Sequence, residues 1–278
     1  MSMRQVRGRT DSRTFVLLWP LIFIKNSLEH KYLISHLVRK DIRLAYHGTF
    51  LGYLWTILEP LIMTIILYAL FVILRGSSDE FLPLYVMLGI LFYSNFSKTT
   101  SMCNNVLLDQ ASLINQVYFP REVFHVNILM YQLYRLCMSL FIIVPMLFWY
   151  NITPTIYIVL LIPAMLGMGF LGMGIGMITS ILQVRIRDVK QMVQVGLKSG
   201  FYISGVFYGG KHIPPEWLDI YFLNPIAVFI ELSRASVLGE MGVLEVTNVA
   251  YALLFSLAVL IAGMCIFKKY ENKVVKYL

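Results

Sequence analysis

The chain has 278 residues, 58% of them hydrophobic and 14% charged, with a mean hydropathy of +0.72 and a formal charge of +8. Soluble domains carry roughly 25% charged residues, so this balance excludes an ordinary soluble protein and points to a polytopic helical membrane protein. The basic residues gather in the first fifty residues, at Arg121, within 185–198 and within 268–276, which are alternate connections of a helical bundle, so the charge reports topology rather than nucleic-acid binding.

Residues 1–29 read as an N-terminal extension. Arg4, Arg7, Arg9 and Arg13 precede an apolar run over 15–24, in the manner of a signal peptide. Residues 25–29 offer no small-x-small cleavage site. Ten apolar residues broken by Pro20 fall short of the roughly 20 needed to cross a bilayer. The run is expected to remain on the chain and lie at the membrane surface.

From residue 30 to residue 278 a single membrane domain is expected. It opens on a basic amphipathic helix over 30–47. Ile34, Val38, Ile42 and Ala45 recur at helical spacing, and Leu33, Leu37 and Leu44 widen that face. Lys31, Arg39, Lys40, Asp41 and Arg43 fill the rest. Such a helix lies in the interface with its cations among lipid phosphates. Arg39, Asp41 and Arg43 then form a cytoplasmic collar against which a soluble partner can dock.

Six spans follow, at about 54–74, 82–105, 123–150, 156–182, 192–208 and 249–267. The expected fold is an all-α membrane protein with six transmembrane helices, an N-terminal amphipathic interfacial helix and a broken, re-entrant helical segment between spans five and six. The connection at 75–81 holds one cation against Asp79 and Glu80, and 151–155 is uncharged. The connection at 209–247 sets Lys211 and Arg234 against Glu216, Asp219, Glu231, Glu240 and Glu245. The cation excess lies in the other connections and at both ends, which the positive-inside rule puts in the cytoplasm.

Glu59 and Pro60, at the start of the first span, are expected to shape its entry. The second span is apolar in its outer half, whereas Ser94, Lys98, Ser101 and Asn105 make one polar face in its inner half. That face either lines a pathway or extends into cytoplasmic water. Arg135 in the third span either faces the bundle interior or snorkels. Gly172 and Gly176, with Gly167, Gly169 and Gly174 nearby, and the Gly196, Gly200, Ser204 series are read as surfaces for close helix packing. Tyr68, Tyr93, Tyr202 and Tyr208 are candidates for an aromatic pathway lining, each a flat apolar face with a polar tip. Pro214, Pro215 and Trp217 start a short helix that Asn224 and Pro225 stop, and a second helix then runs to Leu238. These two pieces either dip into the membrane or lie on its outer surface.

Cys103, Cys137 and Cys265 lie far apart, and the five histidines form no metal-binding pattern. No GxxxxGK[ST] loop occurs anywhere in the sequence, so no nucleotide site is visible on this chain.

These features together resemble the permease subunit of type 2 ATP-binding-cassette exporters, in the group that exports O-antigen, capsule or teichoic-acid chains on lipid carriers. The residues that carry the resemblance are 39–43 followed by 51–60, then 119–123, 187–190 and 224–225. The resemblance implies a homodimer of this chain in a bacterial or archaeal cytoplasmic membrane, joined by two copies of a separate ATPase that bind ATP and Mg. This chain itself is then expected to bind no cofactor and to carry no catalytic residue. Phe119, Pro120, Arg121 and Glu122 resemble a coupling helix seated in an ATPase cleft, supported by Arg187 and Asp188. The segment with Pro214, Pro215, Trp217, Asn224 and Pro225 resembles periplasmic gate helices, and a lipid-linked glycan is the implied substrate. The competing readings are a small-molecule or drug exporter of the same superfamily and a membrane enzyme that modifies glycans or lipids. An enzyme needs a convergent acid, base or metal set, which the sequence does not offer.

Overall fold

Two helices with closely apposed backbones form the centre of the bundle. The computed structural model describes residues 12–75, 81–116 and 120–274. Among these the secondary structure is helical: α1 (Ser12–Glu29), α2 (Lys31–Tyr46), α3 (Trp55–Arg75), α4 (Leu82–Asp109), α5 (Ala111–Gln116), α6 (Glu122–Leu140), α7 (Ile143–Trp149), α8 (Leu161–Arg185), α9 (Val189–Ile203), α10 (Pro215–Phe222), α11 (Pro225–Leu238) and α12 (Val246–Val274).

The central pair is α4 and α8, and α12 packs on the other side of α8. Glycines set these distances. A Cβ on Gly172 would stand 3.0 Å from the Phe96 carbonyl oxygen on α4. One on Gly174 would stand 2.7 Å from the Val259 carbonyl oxygen on α12. The two glycines therefore serve opposite faces of one helix, letting α8 approach both neighbours at backbone contact.

Four stretches among the described residues are long and apolar enough to cross a membrane: Gly52–Ile73, Glu122–Trp149, Ile156–Arg185 and Val246–Glu271. The α10–α11 pair, bent by 107°, makes a fifth if taken as one. These four coincide with the expected first, third, fourth and sixth spans. The third is interrupted after Leu140 by a turn before α7.

The other two expected spans differ for identifiable reasons. Helix α4 covers 28 residues, about 42 Å at 1.5 Å per residue, so length is no obstacle. Its polar second half, from Ser94 to Asn105, keeps it below the apolar standard. Helix α9 has 15 residues, about 22 Å against the roughly 30 Å of a bilayer core. It ends at Ile203 rather than running to Tyr208. Gly205 there has a φ of +72°, and Arg234 takes the carbonyls of Gly205, Val206 and Tyr208 out of any helical pattern.

The N-terminal region also departs from expectation. Helix α1 continues through Pro20 rather than breaking there. Its second half is held by tertiary contacts: Phe23 is buried, and Asn26 donates to Glu122 at 2.7 Å. These contacts offset the single backbone bond that proline removes. In α2, Ile34 is buried, Leu33, Leu37, Val38 and Ile42 are half-buried, and Leu44 and Ala45 are exposed.

Candidate functional site

Three polar clusters interrupt the apolar bundle. The first lies where α1, α6 and α12 meet. Glu122 opens α6 and is fully buried. It accepts from Asn26 at 2.7 Å and from Lys268 at 3.2 Å. Lys268 also pairs with Glu271 at 2.8 Å, and Arg121 Nη1 donates to the Glu271 backbone carbonyl at 3.4 Å. Arg121 and Glu122 were expected to face a partner. The structure instead turns Glu122 inward, where it locks the start of α6 to the first and last helices. Pro120 is half-buried beside them, and Phe119 lies outside the described residues. Arg187 and Asp188 are exposed just before α9. In the collar, Arg39 and Arg43 are exposed, while Asp41 accepts from Asn127 on α6 at 2.7 Å.

The second cluster is a crevice among α3, α4 and α6, about 70 Å3 in volume. Glu59 sits between two cations. Lys98 Nζ reaches its two oxygens at 3.0 and 2.9 Å, and Arg135 Nη2 stands 3.8 Å from Oε2. Ser94 lines the same wall. The expected polar face of α4 is thus divided. Ser94 and Lys98 face this crevice, whereas Asn105 donates to the Ser101 carbonyl at 3.0 Å and accepts from Gln183 of α8 at 2.8 Å. Asn104 pairs with the same glutamine. Arg135 faces this crevice between helices, with the Tyr131 ring 5.9 Å away.

The third cluster joins α11 to the end of α9. Arg234 is 1% exposed, the largest fully buried side chain among the described residues. It pairs with Glu231 at 3.1 Å and donates to the carbonyls of Tyr85, Gly205, Val206 and Tyr208. Its guanidinium also covers the Tyr85 ring at 4.4 Å. Glu231 accepts in turn from the Gly210 amide at 2.7 Å. Local chemistry places the two helices of this segment. Pro215 starts α10. The Asn224 side chain caps α11 by accepting from the Ile226 amide at 3.0 Å, with Pro225 in the first turn. Asn224 also donates to Ser204 at 3.1 Å. Pro214, Pro215 and Trp217 are exposed. Sequence reasoning counted Arg234 and Glu231 only as loop charges. Their signal was available: opposite charges three residues apart in an otherwise apolar helix are neighbours on one face.

The four tyrosines separate. Tyr93 is buried, donates to the Leu197 carbonyl and packs edge-on against Phe96 and Phe201, which makes it a joint between α4 and α9. Tyr68 is half-buried against the core. Tyr202 is 66% exposed. Tyr208 is half-buried and borders a cavity of about 440 Å3 that Phe81, Tyr85 and Phe207 also line.

The ABC-2 type transporter family matches residues 32–238, a stretch that contains all three clusters except the α12 partners of the first and Asn26 of α1. An O-antigen export system permease protein of Klebsiella pneumoniae is 26% identical over 261 residues, covering 91% of this chain and 100% of that protein. A protein of the same description from Myxococcus xanthus is 24% identical over 69% of this chain and 74% of its own length. The polysialic acid transport protein KpsM of Escherichia coli is 24% identical over 87% of this chain and 95% of its own length. With the family match covering most of its length, this helical membrane chain belongs to the ABC-2 type transporter family.

Proposed function

We propose that this chain is the membrane-spanning subunit of an ATP-driven exporter that moves a lipid-linked polysaccharide from the cytoplasm across the inner membrane. The observation that carries this reading is the end-to-end similarity to an O-antigen export permease, 91% of one chain against the whole of the other. ATP and Mg belong to a separate cassette ATPase, since the sequence holds no phosphate loop.

In this reading six segments cross the membrane, the fifth made of α9 and the irregular stretch 204–208 after it, α2 lies in the inner interface, both termini are cytoplasmic, and α10 and α11 form a re-entrant gate at the outer mouth. Two copies pair through α3 and α9. Helix α9 supports this pairing: none of its residues is buried, and Gln194 and Lys198 lie along it within the expected span. Polar residues at membrane depth need a protein or water partner. A second copy and a hydrated channel between the copies supply both. Tyr202, on the exposed side of α9, then lies on the glycan path.

Coupling divides between contact and positioning. Arg187 and Asp188, both exposed, touch the ATPase with Pro120 and Phe119. Buried Glu122 fixes the start of α6 beside Pro120. The test is surface glycan measured against the amount of permease–ATPase complex in cells lacking the chromosomal copy. Restored display that requires both subunits supports the reading. Restored drug efflux without glycan display contradicts it.

A further inference from the structure

The Glu59 crevice carries more positive charge than its own carboxylate neutralises. Lys98 occupies both oxygens of Glu59 at hydrogen-bond distance, and Arg135 Nη2 stays 3.8 Å away, too far for a hydrogen bond. Arg135 Nε is buried with no hydrogen-bond partner. The one carboxylate therefore faces two cations, and the guanidinium keeps its Nε–H without an acceptor. The other lining groups, Thr56, Ser94, Asn95, Gln132 and Ser139, are uncharged. Asp41, the acid of the neighbouring helix α2, is held by Asn127.

The level of the crevice matters as much as its charge. Arg135 lies about 20 Å along α6 from Glu122, and Lys98 about 16 Å along α4 from Asp109. Glu59 lies about 10 Å from Gly52, where the first apolar stretch begins. On the proposed topology α4 and α6 project beyond the membrane, and the three charges meet in its inner-leaflet half. A surplus cation at that depth is stable when an anion shares the site. Arginine presents a planar fork that matches phosphate oxygens in pairs.

We propose that Arg135 and Lys98 form a binding site for a phosphate group carried on a membrane lipid, with Glu59 holding Lys98 in place. Resting on the export reading above, that phosphate is the one joining the glycan to its lipid carrier. With the phosphate held in the crevice among α3, α4 and α6, the lipid tail stays in the bilayer. Glu59 sets the strength of the site: it shares Lys98 with the incoming anion and keeps the grip releasable.

Native mass spectrometry of the full-length detergent-purified protein tests this. The protein is titrated with polyprenyl diphosphate, with the uncharged polyprenol, and with phosphatidylglycerol. Polyprenyl diphosphate is expected to bind in preference to polyprenol. Arg135→Gln is expected to weaken it about tenfold or more, the size of one lost charge-assisted hydrogen bond, with Arg135→Lys and Lys98→Met intermediate. Glu59→Gln is expected to bind as tightly or more tightly, because it removes the competing anion. That opposite sign separates an anion site from a structural ion pair. Equal weakening by Glu59→Gln and Arg135→Gln, or equal binding of polyprenol and its diphosphate, overturns the proposal. Arg135-dependent binding of phosphatidylglycerol as strong as that of the diphosphate sustains the site with a bulk lipid headgroup as its source. Failure of glycan export in cells, with Arg135-dependent binding intact, removes the export reading and leaves the site standing.

Discussion

Arg234 Nη1 lies 3.1 Å from Glu231 Oε1, one turn earlier on the same helix, and both side chains are buried. Removing one partner strands the other charge in the bundle. Arg234→Met is therefore expected to cost about 3–5 kcal/mol, read as a large drop in the detergent melting temperature of the purified chain. Pairing it with Glu231→Leu is expected to recover part of that loss, because no uncompensated charge then remains. A double variant no more stable than Arg234→Met would show that the backbone carbonyls, and not Glu231, account for the arginine's contribution.

Contact and positioning at the proposed coupling end separate in two measurements. Glu122→Ala is expected to lower both thermal stability and association with the ATPase, because it releases Lys268 and Asn26 inside the bundle. Arg187→Ala is expected to lower association alone, since Arg187 is exposed. Pull-down yield against melting temperature checks the pair. An Arg187→Ala protein that melts early but docks normally would reverse the assignment.

The packing helix α8 makes a sharp contrast with α9. Gly174→Ala sets a Cβ 2.7 Å from a carbonyl oxygen of α12, an overpacking that costs about 1–3 kcal/mol. A Cβ on Gly196 meets nothing within 4 Å. Gly196→Ala is expected to leave the melting temperature of the isolated chain unchanged. If the two copies pair through α9, it weakens self-association measured by analytical ultracentrifugation.

The sequence spoke clearly where one chemical signal dominated. Proline and asparagine marked the broken α10–α11 segment, because a fixed φ and a capping side chain act locally. The glycines of α8 announced close packing, because no other residue permits it. The polar face of α4 was legible as a set, but its division was not. Lys98 turns to Glu59 and Asn105 to Gln183 because of which helices arrive on each side, and helical periodicity does not encode that. Tyr93 looked equivalent to Tyr202 for the same reason: one faces α9 and the other faces outward. The early end of α9 was hidden because Arg234, some thirty residues later, captures the carbonyls that a longer helix would have used.

The tyrosines supply a further prediction. Tyr93→Phe is expected to lower stability by about 1 kcal/mol through loss of its hydrogen bond to the Leu197 carbonyl. Tyr202→Ala is expected to leave stability unchanged and to reduce surface glycan per assembled complex. Unchanged display in the Tyr202 variant would remove that residue from the path.

Topology is open to thiol labelling. Cys103, Cys137 and Cys265 are first replaced, since all are free thiols. Single cysteines at Asn151 and Lys211 are then expected to react from outside the membrane, and one at Lys190 only from inside. Outside labelling at Lys190 would contradict six spans with both ends in the cytoplasm.

The export claim is tested most directly in inverted inner-membrane vesicles that hold this chain, its cassette ATPase and a lipid-linked glycan with a radiolabelled sugar. The measurement is the fraction of glycan that becomes protected from an added glycosidase. Protection is expected to require ATP and both proteins. Protection without ATP, or ATP-driven uptake of a small apolar drug with the glycan left accessible, would contradict it.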